Sequence, residues 1–133
     1  NSEGNCSYLI DDEKTLRKKV MRAVTDEGPK EPNQEPSQPV KNLFTLMELV
    51  CEPDVVTHYR DAYADCSIRY GDMKKQLAED ILKVTLPIRE RILDIRNNEE
   101  YLSKVVKEGG ERARAYAADT LKDVREIMGI RKI

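Results

Sequence analysis

Apolar residues recur every three or four positions along most of this chain, the spacing that lines one face of a helix. Leu16, Val20, Ala23 and Val24 form the first such face, and Asp11 or Asp12 can accept from the free amides of its opening turn. A denser stripe of Val40, Leu43, Phe44, Met47, Val50 and Cys51 begins just after Pro39. Pro53 suits a first helical position, so Val55, Val56, Tyr59, Ala62 and Tyr63 predict the second arm of a helical hairpin, ending near Cys66.

The longest pattern starts at Tyr70-Gly71-Asp72. Gly71 can turn the backbone and Asp72 can cap, launching Met73, Leu77, Ile81, Val84, Ile88, Ile92 and Ile95 as a central packing helix. Pro87 lies inside it, removes an amide donor and crowds the carbonyl of Lys83, which predicts a kink. Asn97 and Asn98 read as a stop and a new cap, followed by Leu102, Val105 and Val106 in a short helix that ends at Gly109-Gly110. Ala113, Ala117, Leu121, Val124 and Met128 predict the buried stripe of a last helix, with Gly129 as a left-handed cap and Arg131 and Lys132 beside its C-terminal dipole. Between the first two helices, residues 26–39 hold Pro29, Pro32, Pro36 and Pro39 with no apolar anchor, and predict an exposed, mobile connector. Residues 1–10 read as a stump cut from a longer protein, with Tyr8-Leu9-Ile10 as an apolar tie.

Composition narrows the fold class. Across 133 residues, 39% are hydrophobic and 36% charged, with no Trp and one Phe, which favours amphipathic helices over aromatic-layered sheets. The expectation is an all-α helical bundle of about five to six helices around one long Pro-kinked central helix. A net charge of -2 does not advertise an anionic partner, so any nucleic acid must meet a local basic patch. The three cysteines, Cys6, Cys51 and Cys66, are widely spaced without a CxxC pair, which argues against a disulfide framework or a metal site and fits a reducing, cytoplasmic setting. No apolar run reaches membrane-spanning length. His58 is the sole histidine, and without an accompanying motif it reads as a helix-surface residue.

Two places carry candidate chemistry. Lys14, Arg17, Lys18 and Arg22 gather opposite the first apolar face, a one-sided ridge able to release several counterions together on a phosphate backbone, or simply a solvated face. The stretch from Tyr70 to Lys75 shows an aromatic, a carboxylate and two lysines in one helical turn. Such groups can stack on bases, accept from exocyclic amines and neutralise phosphate, although a charged first turn is also ordinary helix capping.

The residues themselves go further. Asp11-Asp12-Glu13-Lys14-Thr15-Leu16-Arg17-Lys18-Lys19 leading to Arg22-Ala23-Val24-Thr25-Asp26, then Asn42-Leu43-Phe44, Tyr70-Gly71-Asp72-Met73-Lys74 and Pro87-Ile88-Arg89-Glu90-Arg91, resemble bacterial tryptophanyl-tRNA synthetase over nearly the whole chain. The resemblance places Ser2 at the final serine of the family's Lys-Met-Ser-Lys-Ser signature, an ATP-binding position, and Asn1 where the family has a lysine whose charge asparagine lacks. It implies that residues 1–10 are the remnant of the signature loop and residues 11–133 the helical anticodon and tRNA-binding domain. The parent reaction joins tryptophan to ATP with Mg2+ as an adenylate and transfers it to tRNA, in a homodimer held by catalytic domains; this chain alone should be inactive and need no cofactor. The resemblance makes Tyr70, Asp72, Lys74 and Lys75 the first candidates for tRNA contact, with Arg69, Arg112 and Arg114 secondary, the last two as paired guanidiniums at a helix start. The family often has glycine where Cys66 stands. A helical protein–protein interaction module without its own nucleic-acid binding is the rival reading.

Overall fold

A computed structural model describes residues 6–130, so Asn1, Ser2, Arg131 and Lys132 lie outside the described residues. The chain is all-helical, as expected, with α1 (Glu13–Met21), α2 (Gln38–Val50), α3 (Pro53–Ala64), α4 (Tyr70–Arg96) and α5 (Glu99–Ile127), and no strand among the described residues. It divides into two compact units, one running through Arg91 and the other beginning at Ile92.

In the first unit one core is filled by Leu16 and Val20 of α1, Val40, Leu43, Phe44 and Met47 of α2, Val56 and Tyr63 of α3, and Met73, Leu77, Ala78 and Leu82 of α4. Side chains of this size each stabilise by about 1.5–3 kcal/mol when taken from water, which is what holds four short amphipathic segments together. Phe44 and Tyr63 meet edge to face, with centroids 6.1 Å apart. The α4 pattern departs from the expected stripe. Met73 and Leu77 are buried, but burial then moves to Ala78 and Leu82, while Val84 and Ile88 are exposed. The helix continues through Pro87 to Arg96, as the stripe running to Ile95 predicts.

Local chemistry sets the ends. Asp12 caps α1 by accepting from the Thr15 amide at 2.7 Å, and Pro39 and Pro53 occupy the first turns of α2 and α3. At α4 the carbonyl of Arg69 accepts from the amides of Asp72 (3.0 Å) and Met73 (3.1 Å), so Asp72 sits inside the first turn and is not its cap. Gly71 has helical backbone and open space around its α-carbon, so no steric demand requires glycine there. The demanding backbone lies earlier: Cys66 adopts φ 64° just past α3. There the Cys66 amide donates to the Tyr63 carbonyl (3.2 Å) and the Ser67 amide to that of Ala62 (2.9 Å), the paired bonds of a Schellman turn with cysteine in the position that glycine usually fills.

In the second unit Asn98 caps α5 by accepting from the Tyr101 amide at 3.0 Å. The helix then runs unbroken through Gly109 and Gly110, so the expected short helix and last helix are one element of 29 residues. Two glycines cost roughly 1 kcal/mol each relative to alanine, which does not end a helix of this length when neither adopts a left-handed backbone. No α5 side chain is buried, and Ala113, Ala117, Leu121, Val124 and Met128 are exposed where a buried stripe was expected. Gly129 closes the element with φ 68°, as anticipated, its amide donating to the Glu126 carbonyl and that of Ile130 to the Arg125 carbonyl.

Candidate nucleic-acid interface

The Ala23–Asp26 and Tyr70–Lys74 stretches, far apart in sequence, meet in space. Lys74 is buried to 8% exposure, and its Nζ donates to the carbonyl of Ala23 at 2.8 Å and to Thr25 Oγ1 at 3.3 Å. This places a cation just past the C-terminal end of α1, where it complements the helix dipole and satisfies the carbonyl of the loop residue Ala23. One turn earlier, the Tyr70 hydroxyl donates to Asp26 Oδ1 at 2.5 Å. The same carboxylate accepts from the Ser37 hydroxyl and from the Gly28 amide (2.9 Å). Burial pushes the Asp26 carboxyl up, but the hydrogen bonds from Ser37, Tyr70 and Gly28 together hold it below its ordinary 3.8. Burial, and then the Asp26 carboxylate, raise the Tyr70 hydroxyl above its ordinary range.

These bonds tie down the proline-rich connector at its first residue, and the Asn33 amide ties its middle to the Ala64 carbonyl at 2.8 Å. Residues 26–39 are thus a strapped loop. The sequence pattern pointed to a mobile connector because its anchors are polar and distant. The N-terminal tie is also polar: Tyr8, Leu9 and Ile10 are exposed, while Arg89 Nε donates to the Ile10 carbonyl at 3.1 Å and the Lys19 ammonium lies 5.0 Å from the Tyr8 ring centre.

With Tyr70 and Lys74 turned inward, Arg69, Asp72 and Lys75 remain on the outside of the same turn. Arg69 makes no ion pair or side-chain hydrogen bond among the described residues, and Lys75 faces Asp72 at 3.6 Å, a loose surface pair. The α1 ridge is divided. Arg17 forms a two-pronged bond to Glu79 of α4 (2.6 and 2.9 Å) and also meets Glu13, so it holds helices together, while Lys14, Lys18 and Arg22 are exposed.

Arg112 and Arg114 are exposed but lie in the middle of α5, not at a helix start. Two residues apart on a helix, they project to nearly opposite sides and do not form a paired clamp. Ser2 falls outside the described residues. Sequence reasoning passed over a groove at the α3–α4 turn, lined by His58, Tyr59, Ala62, Ser67, Arg69 and Asp72. Its signal was the spacing of His58, Tyr59 and Ala62 on α3, which reads as an ordinary helix surface until the turn through Cys66 folds Arg69 over it.

A buried carboxylate elsewhere in the first unit is structural. Asp80, 4% exposed, accepts from Gln76 (2.9 Å) and Lys83 (2.6 Å). Burial of Cys51, and then its contact with Asp80, push that thiol up to about 12, which leaves it unreactive at neutral pH. Among the described residues no three His, Cys, Asp or Glu side chains gather as a metal ion would require, and no helix is long and apolar enough to cross a membrane.

The relatives of this all-helical chain are aminoacyl-tRNA ligases. Over nearly its whole length the chain matches the C-terminal part of the tryptophan–tRNA ligases. It is 57% identical over 130 residues to the tryptophan–tRNA ligase of Porphyromonas gingivalis, an alignment covering 98% of this chain and 40% of that protein. It is 36% identical over 129 residues to the enzyme of Caldanaerobacter subterraneus (92% and 36%) and 34% identical over 125 residues to tryptophan–tRNA ligase 1 of Streptomyces coelicolor (92% and 35%). The chain therefore spans about 40% or less of the length of these relatives. No protein-family model matches the sequence.

Proposed function

We propose that this chain is the tRNA-binding helical part of a tryptophan–tRNA ligase. The observation that carries the reading is the junction itself. Tyr70 and Lys74 fix the end of α1 and the connector against the first turns of α4, leaving Arg69, Asp72 and Lys75 outward on a rigid element. Recognition groups held by a second layer of hydrogen bonds lose less freedom on binding than groups on a loose loop. Tyr70 and Lys74 act in this account as positioning residues for tRNA contact, and Arg112 and Arg114 as separate phosphate contacts from α5. The parent enzyme attaches tryptophan to its tRNA through an adenylate formed from ATP with Mg2+, in the cytoplasm, as a homodimer joined through its catalytic domains. By resemblance, Ser2 belongs to the ATP-binding signature of that parent enzyme. In this reading the chain by itself, which spans about 40% or less of its relatives' length, does not turn over ATP.

A second reading, a helical module for a protein partner, draws on α5, where Val106, Tyr116 and Ile127 are 73%, 78% and 86% exposed. Electrophoretic mobility of labelled tRNA with the purified chain separates the two. Retardation that weakens as salt rises supports tRNA contact. Unretarded tRNA at low salt, with a correctly folded chain, sinks the reading.

A further inference from the structure

We propose that Arg89 of α4 and Lys19 of α1 are positioning residues for tryptophan activation, because together they clamp residues 8–12, the segment through which the ATP-binding signature joins α1. The inference rests on the reading above that Ser2 belongs to that signature, and it names the side chains that hold the chain where it leaves the signature.

Burial does not hold this segment. Tyr8, Leu9 and Ile10 are all exposed, and none belongs to the core. Polar bonds hold it instead. The Asp11 amide donates to the Tyr8 carbonyl at 3.0 Å while the Tyr8 amide donates to Asp11 Oδ2 at 2.9 Å, which closes the segment into a turn. Lys19 Nζ donates to the same carboxylate oxygen at 2.5 Å and lies over the Tyr8 ring. This pair is sheltered, with side chains 22% and 11% exposed, so solvent screens it less than the open surface pairs of the chain. The Lys19 hydrogen bond, more than any other contact, holds the Asp11 carboxyl below its ordinary 3.8. Arg89 reaches the same turn from 79 residues away. Its half-buried side chain donates from Nε to the Ile10 carbonyl at 3.1 Å, and its charge acts on the carboxylate of Asp12, the cap of α1. Arg17 and Glu79 join the same two helices farther along, so the turn is fixed in place as well as in shape.

Ser2 stands six residues before Tyr8 in the sequence. Groups that act on a reacting phosphate must be held to within roughly 0.5 Å, and a misplacement of about 1 Å costs up to about 100-fold in rate. An anchor this near along the chain therefore acts on the rate of the chemical step and not on the fit of tryptophan.

The test uses the full-length ligase that carries this chain, assayed by tryptophan-dependent exchange of labelled pyrophosphate into ATP, with no tRNA present. Arg89→Met keeps the aliphatic stem and removes the donor. It is expected to lower kcat by about 5- to 50-fold and to leave KM for tryptophan within about twofold. Arg89→Lys, which keeps a donor and the charge, should recover most of the loss. Lys19→Met should act as Arg89→Met does, and the double variant should lose less than the product of the two single losses, because both side chains hold one turn. In the purified chain, Arg89→Met should speed amide exchange at Asp11 while the Leu77 amide, within α4, keeps its wild-type protection. A wild-type enzyme that exchanges pyrophosphate while Arg89→Met and Lys19→Met match it would overturn the clamp and leave the signature reading standing. A loss shared equally by kcat and tryptophan affinity, with the Leu77 amide also unprotected, would show a general loosening and overturn the positioning role. A wild-type enzyme without exchange would overturn both the clamp and the signature reading.

Discussion

Cys66 carries a strain that its side chain does not need. At φ 64° an L residue crowds its own backbone, whereas glycine does not, and the cost outweighs the extra freedom that glycine has in the unfolded chain. Cys66→Gly is expected to stabilise the chain by about 0.5–1 kcal/mol, read as a higher urea midpoint at unchanged slope. Tyr70 and Asp26 give a second prediction at this scale. Tyr70→Phe removes a hydrogen bond to a charged group and should destabilise by about 1–2 kcal/mol near neutral pH. The folded pKa of Asp26 lies below its unfolded value. The stabilisation it contributes is therefore complete above the unfolded pKa and is lost as pH falls from about 4 through the folded one. Urea unfolding at pH 6 and pH 3 should show the Tyr70→Phe penalty shrinking at the lower pH; an equal penalty at both would mean that Asp26 is not the partner that matters. Little of this could be read from sequence. Lys74 sits among charged neighbours in a helix start, and only the arrival of Ala23 and Thr25 from another element turns it inward.

Elements were more legible than residues because they depend on local rules. The stripes of α2 and α3, the Pro53 start, the Asn98 cap and the Gly129 cap rest on spacing and backbone chemistry within one turn, and the structure follows them. Local rules misled where two weak signals competed. Gly109-Gly110 looked like a stop, yet neither adopts a left-handed backbone, and the helix passes through. Both α-carbons have open space around them, so Gly109→Ala with Gly110→Ala is expected to raise helical circular dichroism and to stabilise α5 by about 1 kcal/mol per position. A loss of helicity would show that close packing, and not tolerance, keeps glycine there. The stripe of α4 failed for a different reason: a period alone cannot say where a long helix leaves its core, and Val84 and Ile88 lie beyond that point.

For the molecule as a whole, net charge is a poor guide, because a chain of charge -2 still presents Arg69 and Lys75 on one turn and Lys14, Lys18 and Arg22 along α1. The order of motifs along the chain was enough to point to the family, and the comparisons agree over 98% of its length. What order could not show is that the Ala-Val-Thr-Asp and Tyr-Gly-x-x-Lys stretches are two halves of one junction, since neither contains the other's partner atoms. The central claim is that this junction aims its outer cations at RNA phosphate. It is tested most directly by titrating labelled tRNA with the wild-type chain and with an Arg69→Ala, Lys75→Ala double variant across a range of salt concentrations. The account predicts weaker binding by the variant and a slope of log affinity against log salt shallower by about 1.5, the loss of two phosphate contacts. Equal affinity and an equal slope for the two proteins would contradict it.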